Sequence, residues 1–103
     1  MKNYQLIFSL ESREDLINIH NYIFEDSQNF IIADDFVRAL YQTLESSLPY
    51  FPHKHPVYNN SIRKFIFSKH VNYTAYFEID EEKDHVVVLA ITDSKQFTRY
   101  MRF

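Results

Sequence analysis

Helical spacing of apolar residues ends at two prolines, Pro49 and Pro52, and strand-like composition follows them. Proline cannot donate a hydrogen bond inside a helix and restricts the residue before it, so the pair terminates any helix that reaches it. Ahead of the prolines, apolar residues three and four positions apart form the broad stripe of an amphipathic helix. The stripe consists of Ile32, Ala33, Phe36, Val37, Leu40, Leu44 and Leu48. This pattern predicts a long helix that ends near Leu48.

A strand and a shorter helix are predicted before that long helix. Apolar residues alternate along residues 4–10, which is the period of a strand with one buried face. Ser12, followed three positions later by Asp15, is typical of a helix N-terminus, because the hydroxyl caps free amides and the acid complements the helix dipole. The helix is expected from about residue 13 to residue 24, with a short polar link to the next helix. Two amphipathic helices joined in this way predict an antiparallel α-hairpin.

After the prolines, an irregular connection is expected at 53–60, and three strands are predicted from β-branched and aromatic content. They cover residues 62–67, 72–79 and 85–91. The predicted order is β-α-α-β-β-β in a single domain, residues 1–103, of the α+β class. An antiparallel twisted sheet should carry the N-terminal strand at an edge and the α-hairpin on one face, because the apolar stripes must be buried. The other face is then free for solvent or a partner.

Composition excludes several classes of protein. The chain has no cysteine, so it has neither a disulfide framework nor thiolate chemistry. It also has no glycine, which excludes glycine-rich phosphate loops and dinucleotide fingerprints. Aromatic residues make up 17%, which argues against disorder. No apolar run is long enough for a membrane span and no secretory signal is apparent, so a cytoplasmic location is expected.

Charge is unevenly distributed along the chain, whose formal net charge is -3. Residues 1–51 carry 3 basic and 8 acidic side chains, whereas residues 52–103 carry 8 basic and 6 acidic ones. A local basic face in the second half could bind an anionic partner. A module dedicated to duplex nucleic acid would usually be basic throughout, so unaided binding of nucleic acid is not expected.

Several segments, taken in order, resemble the RelE/ParE superfamily of toxins from type II toxin–antitoxin modules. They are residues 11–23 after the opening strand, 33–36 (ADDF), 48–52 (LPYFP), 62–64 (IRK), 72–77 (NYTAYF) and 86–91 (VVVLAI). The resemblance implies a small toxin that stops growth unless a cognate antitoxin holds it. Some members are ribosome-dependent mRNA endoribonucleases, and the ParE branch inhibits DNA gyrase.

Cleavage of RNA would need a proton acceptor, a proton donor and positive charge at the scissile phosphate. The resemblance suggests a catalytic set for the ribonuclease branch: Arg63, His70, Arg99, Tyr100 and Arg102. Arg63 is in register with a family arginine, and its guanidinium is expected on the free face of the sheet. However, Thr74 stands where a ribonuclease member typically has arginine. The plainer interpretation is that Arg63 is a surface charge and His70 a solvated loop residue.

Two further groups of residues have structural alternatives. His53 and His55 flank Lys54, but a metal would need a third ligand that the sequence does not indicate, so neither a metal nor a cofactor is expected. Strand aromatics could stack nucleic-acid bases, although such residues usually pack against helices. These aromatics are Phe65, Phe67, Tyr73 and Tyr76.

Three functional hypotheses remain. The first is a ParE-like toxin that inhibits DNA gyrase by protein contact, favoured by Thr74 and by the acidic balance, since ribosome binding depends on positive charge. The second is a RelE-like mRNA endoribonuclease, and the third is an inactive relative that only binds its antitoxin.

The expected partner in each case is a cognate antitoxin, with an acidic or amphipathic segment lying along the helix pair and the sheet edge. Phe97 and Phe103 are candidates for the apolar surface that it covers. Operator DNA is expected to be contacted only through the antitoxin, and no membrane is involved.

Overall fold

The computed structural model describes residues 3–70 and 72–93, and the elements within them follow the predicted α+β pattern. In chain order they are β1 (Gln5–Phe8), α1 (Leu10–Ser27), α2 (Phe30–Ser47), a 3₁₀ turn (Pro52–Lys54), β2 (Val57–Asn59), β3 (Ile62–Ile66), β4 (Tyr73–Asp80) and β5 (His85–Asp93). The strands form one sheet in the order β1-β5-β4-β3-β2. Residues 94–103, with Phe97, Arg99, Tyr100, Arg102 and Phe103, lie outside the described residues.

Helix α1 begins earlier than expected, because its N-cap is Ser9 and not Ser12. The Oγ of Ser9 accepts a hydrogen bond from the Ser12 amide at 3.1 Å. Ser9 also remains attached to β5, since its amide donates to the carbonyl of Val88 at 3.0 Å. The chain therefore leaves the sheet at Ser9 and turns at once into the helix. Ser12 is completely buried inside that helix.

Helix α2 confirms the prediction from the apolar stripe and the prolines. Its N-cap is Asn29, whose Oδ1 accepts hydrogen bonds from the amides of Ile31 and Ile32 at 2.9 and 3.1 Å. The helix ends at Ser47, with Leu48 as its C-cap, immediately before Pro49. The link from α1 turns sharply at Gln28, which adopts the left-handed conformation with φ 55°.

The edge strand β1 runs parallel to β5, so the predicted antiparallel sheet also contains one parallel pair at its edge. The remaining pairs, β2–β3, β3–β4 and β4–β5, are antiparallel. A parallel pair requires a crossover connection, and the α-hairpin begins that crossover directly after β1. The sheet is therefore mixed.

The connection at 53–60 is more ordered than predicted. It contains the 3₁₀ turn and the short strand β2, which pairs with β3 at the sheet edge. The turn between β2 and β3 uses Asn60 with φ 52°, a conformation that asparagine tolerates better than most residues. A three-residue strand is too short to show a period, so the sequence pattern could not reveal it.

The core lies between the helix pair and one face of the sheet. Helix residues Ile19, Leu40, Leu44 and Leu48 pack with strand residues that alternate along β3, β4 and β5. These strand residues are Phe65, Tyr73, Ala75, Phe77, Val86, Val88 and Ile91. Neither described helix has the length and apolar character needed to cross a bilayer.

Candidate functional site

Arg63 lies on the helix-covered side of the sheet, which corrects the expectation that it faces the free side. It pairs directly with Phe77 of β4, and Phe65 pairs with Ala75. Phe77 and Ala75 are completely buried in the core. Directly paired strand residues project from the same side of a sheet, so Arg63 projects toward the core side beside Phe65.

The guanidinium of Arg63 is engaged by the chain itself. Its Nη1 donates to the carbonyl oxygen of His55 at 2.7 Å and to that of His53 at 3.3 Å. These contacts fasten the connection after the 3₁₀ turn to the sheet. A donor that satisfies main-chain carbonyls in this way is a structural element of the fold.

His55 packs beside Arg63 against the core aromatics. Its ring lies 4.8 Å from that of Phe65 and 5.9 Å from that of Phe77, measured between centroids. Its Nε2 is buried, and none of the described residues forms a hydrogen bond with it. Burial lowers the pKa of His55, and the positive charges of Lys54 and Arg63 lower it further. The neutral imidazole therefore fits this position best.

His70 lies beyond the other end of β3 from Arg63. Its ring packs against that of Phe36 on α2, with 4.7 Å between centroids, and its carbonyl accepts the amide of Tyr73 at 2.9 Å. His70 is half-buried and borders the helix–sheet packing. Arg63 and His70 are therefore separated along β3. The other members of the expected set, Arg99, Tyr100 and Arg102, lie outside the described residues.

The side of the sheet away from the helices carries a small aromatic cluster with one lysine, and Tyr76 in this cluster is buried. Tyr58 of β2 and Tyr76 of β4 have ring centroids 5.0 Å apart, and the Nζ of Lys64 lies 5.7 Å from the Tyr58 centroid. Burial raises the pKa of Tyr76, and the neighbouring Tyr58 adds to this effect. Arg63 and Lys64 are the only Lys or Arg residues in the described strands, so Lys64 alone brings such a charge to this side.

The β4–β5 hairpin presents negative charge. A shallow groove of ≈ 370 Å³ lies there, lined by four acidic residues and by apolar ones: Glu78, Ile79, Asp80, Glu81, Glu82, Val87 and Leu89. On the adjoining surface, the carboxylate of Glu81 accepts the hydroxyl of Tyr4 at 2.6 Å and pairs with the Nε2 of His53 at 2.8 Å. Carboxylates repel phosphate, so this groove is unsuited to a nucleic-acid backbone.

Metal binding finds no support in the described ranges. No group of three or more His, Asp or Glu side chains within residues 3–70 and 72–93 could hold an ion. His53 is paired with Glu81, and His55 points into the aromatic core.

Sequence reasoning missed two features of this region. The first is the side of the sheet on which Arg63 lies. Side chains alternate between the two sides of a strand, and Phe65 and Phe67, two and four positions after Arg63, are both buried. Tyr58 and Lys64 were not singled out as a pair, since their contact depends on β2, whose pairing with β3 was not foreseen.

Comparison with known proteins identifies the family. A family model described as the ParE toxin of the type II toxin–antitoxin system parDE matches residues 6–96. No curated protein matches the sequence. The chromosomal ParDE system from P. aeruginosa gives a TM-score of 0.74 at 14% identity, covering 87% of this chain and 95% of the other.

Two RelBE structures also share the fold. The RelBE2 complex from Mycobacterium tuberculosis gives a TM-score of 0.65 at 17% identity, covering 88% of this chain and 98% of the other. The intact E. coli RelBE complex gives a TM-score of 0.51 at 16% identity, covering 87% of this chain and 95% of the other. Because the family model spans most of the chain, this protein belongs to the ParE toxin family of type II toxin–antitoxin systems.

Proposed function

We propose that this toxin inhibits DNA gyrase by protein–protein contact and cleaves no RNA. The observation that carries the proposal is the engagement of Arg63. Its Nη1 donates to the carbonyls of His53 and His55 on the core side of the sheet, so Arg63 helps to hold the fold together. Gyrase inhibition is what membership of the ParE branch implies for the target.

Charge and composition of the sheet support the same conclusion. Thr74 occupies the middle strand position where a ribonuclease relative typically has arginine, and it pairs with the apolar Ile66. The groove at the other end of β4 is acidic. Stabilising the charge that develops on a cleaved phosphate requires positive groups, and the described strands supply only Lys64 to the side of the sheet away from the helices.

A cognate antitoxin is the proposed natural partner, since the RelBE structures that share this fold contain toxin and antitoxin together. Antitoxin binding would keep the toxin inactive in the cytoplasm until the antitoxin is lost.

The test is induction of the toxin in cells without its antitoxin, with plasmid topology and transcript ends measured in parallel. We expect growth arrest, loss of negative supercoiling and intact transcripts by primer extension. Cleaved transcripts would favour the RelE-like alternative, and normal growth would favour an inactive relative. Either result contradicts the proposal.

A further inference from the structure

The turn between β2 and β3 contains an asparagine that is open to chemical attack. Asn60 and Ser61 form this turn between the paired residues Asn59 and Ile62, and both turn residues are exposed. Asparagine is thermally labile, because the main-chain nitrogen of the next residue can attack its side-chain carbonyl carbon. A small next residue leaves that nitrogen accessible. Asn60 is followed by serine, whereas every other asparagine of the chain is followed by Tyr, Ile, Phe or Asn.

The nitrogen that would attack Asn60 is not held by a hydrogen bond. Among the described residues, none accepts the main-chain N–H of Ser61. The exposed Asn72 differs in this respect, because the next amide, that of Tyr73, donates to the carbonyl of His70 at 2.9 Å. Helices constrain three further asparagines, namely Asn18, Asn21 and Asn29. The structure therefore selects the same asparagine as the sequence.

The shortness of β2 allows the turn to open. This strand is three residues long and lies at the edge of the sheet, next to β3. Local opening costs least where few contacts hold an element in place. In the closed turn Asn60 has φ 52°, a conformation that few residues other than glycine adopt readily. Opening lets the side chain of Asn60 and the nitrogen of Ser61 rotate into contact.

We propose that Asn60 is a site of spontaneous covalent modification, at which loss of ammonia converts it to aspartate and isoaspartate. The main-chain nitrogen of Ser61 forms a bond to Cγ of Asn60, the Cγ–Nδ2 bond breaks, and ammonia leaves with the proton of the Ser61 amide. Water then opens the cyclic imide at either of its carbonyls, and the Ser61 nitrogen regains a proton. Water is the only co-reactant.

The modification changes both the charge and the backbone of the turn. Either product places a carboxylate directly before Ser61, whose hydroxyl donates to Glu78 at 3.3 Å, so two like charges come near each other. Isoaspartate also adds a carbon atom to the main chain, which the pairing of Asn59 with Ile62 does not accommodate. We therefore expect β2 to detach from β3 as the chain ages. This inference concerns the turn only and does not depend on the identity of the cellular target.

The experiment incubates the purified full-length chain in warm, mildly alkaline buffer and maps its peptides by mass spectrometry with fragmentation. We expect Asn60 to gain the mass difference between NH₂ and OH at least about tenfold faster than any other asparagine. Isoaspartate methyltransferase should label the same peptide. Ser61→Val is the matched variant, because its branched side chain crowds the attacking nitrogen at an exposed position, and it should slow the mass gain about tenfold.

Hydrogen exchange measured by NMR tests the structural consequence. The amide of Lys64 donates to the carbonyl of Pro56 at 3.1 Å, and it should exchange at least about tenfold faster in the aged chain than in the fresh one. The amide of Ile91, on β5, is the control and should be unaffected.

Four results would each overturn the proposal. They are a mass gain no faster at Asn60 than at Asn72, an unchanged rate in Ser61→Val, isoaspartate labelling without a mass gain, and unchanged exchange at Lys64 after ageing. Labelling without a mass gain would come from rearrangement of an aspartate, which loses no ammonia.

Discussion

At the scale of single residues, Arg63 connects the strand pattern to the proposed function. Its side of the sheet follows from the two-residue period, since Phe65 and Phe67 on the same strand segment are buried. Its partners do not follow from the sequence, because the carbonyls of His53 and His55 reach it only through the folding of the preceding connection. The strand position of Arg63 was therefore predictable from the sequence, whereas its hydrogen-bond partners were not.

Replacing Arg63 should cost stability. In Arg63→Ala the carbonyls of His53 and His55 lose their donor, and we expect about 1–3 kcal/mol less free energy of unfolding. Arg63→Lys should lower the free energy of unfolding by less, since lysine keeps a hydrogen-bond donor at this position. Lys69→Ala, in the exposed connection after β3, is the control and should change stability by about 0.5 kcal/mol or less. Urea unfolding followed by circular dichroism measures all three. A fully stable Arg63→Ala chain would contradict the structural role of this residue.

His55 should make stability depend on pH. Its pKa is lowered from 6.5 in the folded chain by burial, so the unfolded chain takes up the proton first as the pH falls. The stability contributed by the neutral ring is complete above pH 6.5 and is lost as the pH falls toward the lower folded pKa. Melting temperatures at about pH 7.5 and 5.5 should therefore differ less in His55→Gln than in the natural chain.

The control for this effect is His85→Gln, which removes a histidine at the start of β5, outside the His55 pocket. It should leave the pH dependence close to that of the natural chain. An identical pH dependence in His55→Gln and the natural chain would show that burial of His55 does not oppose its protonation.

At the scale of elements, the helices and strands were predicted best where apolar residues recur at a regular spacing over many positions. Helix α2 and the strands β4 and β5 follow their apolar patterns, and Pro49 marks the end of the helix. Three local features did not follow from the sequence pattern. Ser9, and not Ser12, caps α1, because Ser9 is hydrogen-bonded to β5. Strand β2 is too short to show a strand period, and the parallel direction of β1 depends on the crossover that begins with the α-hairpin.

The α1–β5 contact should depend on Asp15. Its Oδ2 accepts the amide of Ile91 at 2.9 Å, beyond the point where β1 stops pairing with β5. Asp15→Ala should leave that buried amide without this acceptor and lower the free energy of unfolding by about 1–3 kcal/mol. Hydrogen exchange at the Ile91 amide should become faster. Asp15→Asn, which keeps an acceptor, should recover part of the loss.

The matched control for Asp15 is the exposed neighbour Glu14. Glu14→Ala should change neither stability nor exchange at Ile91 appreciably. Unchanged protection of the Ile91 amide in Asp15→Ala would mean that the carboxylate does not hold this part of the strand.

At the scale of the whole molecule, charged and apolar surfaces are separated. The helix hairpin is acidic and has exposed apolar side chains, and the β4–β5 hairpin is also acidic. The described strands bring a single lysine to the side of the sheet away from the helices. This distribution suits recognition of proteins better than recognition of a phosphate backbone. It agrees with the central proposal that the toxin acts by contact with its target.

The most direct measurement is supercoiling of relaxed plasmid by purified DNA gyrase in the presence of the purified toxin. The account predicts that micromolar toxin inhibits supercoiling, and that folded Arg63→Lys inhibits as well as the natural chain because Arg63 supports the fold and performs no chemistry. Supercoiling that proceeds unchanged at micromolar toxin would contradict the account.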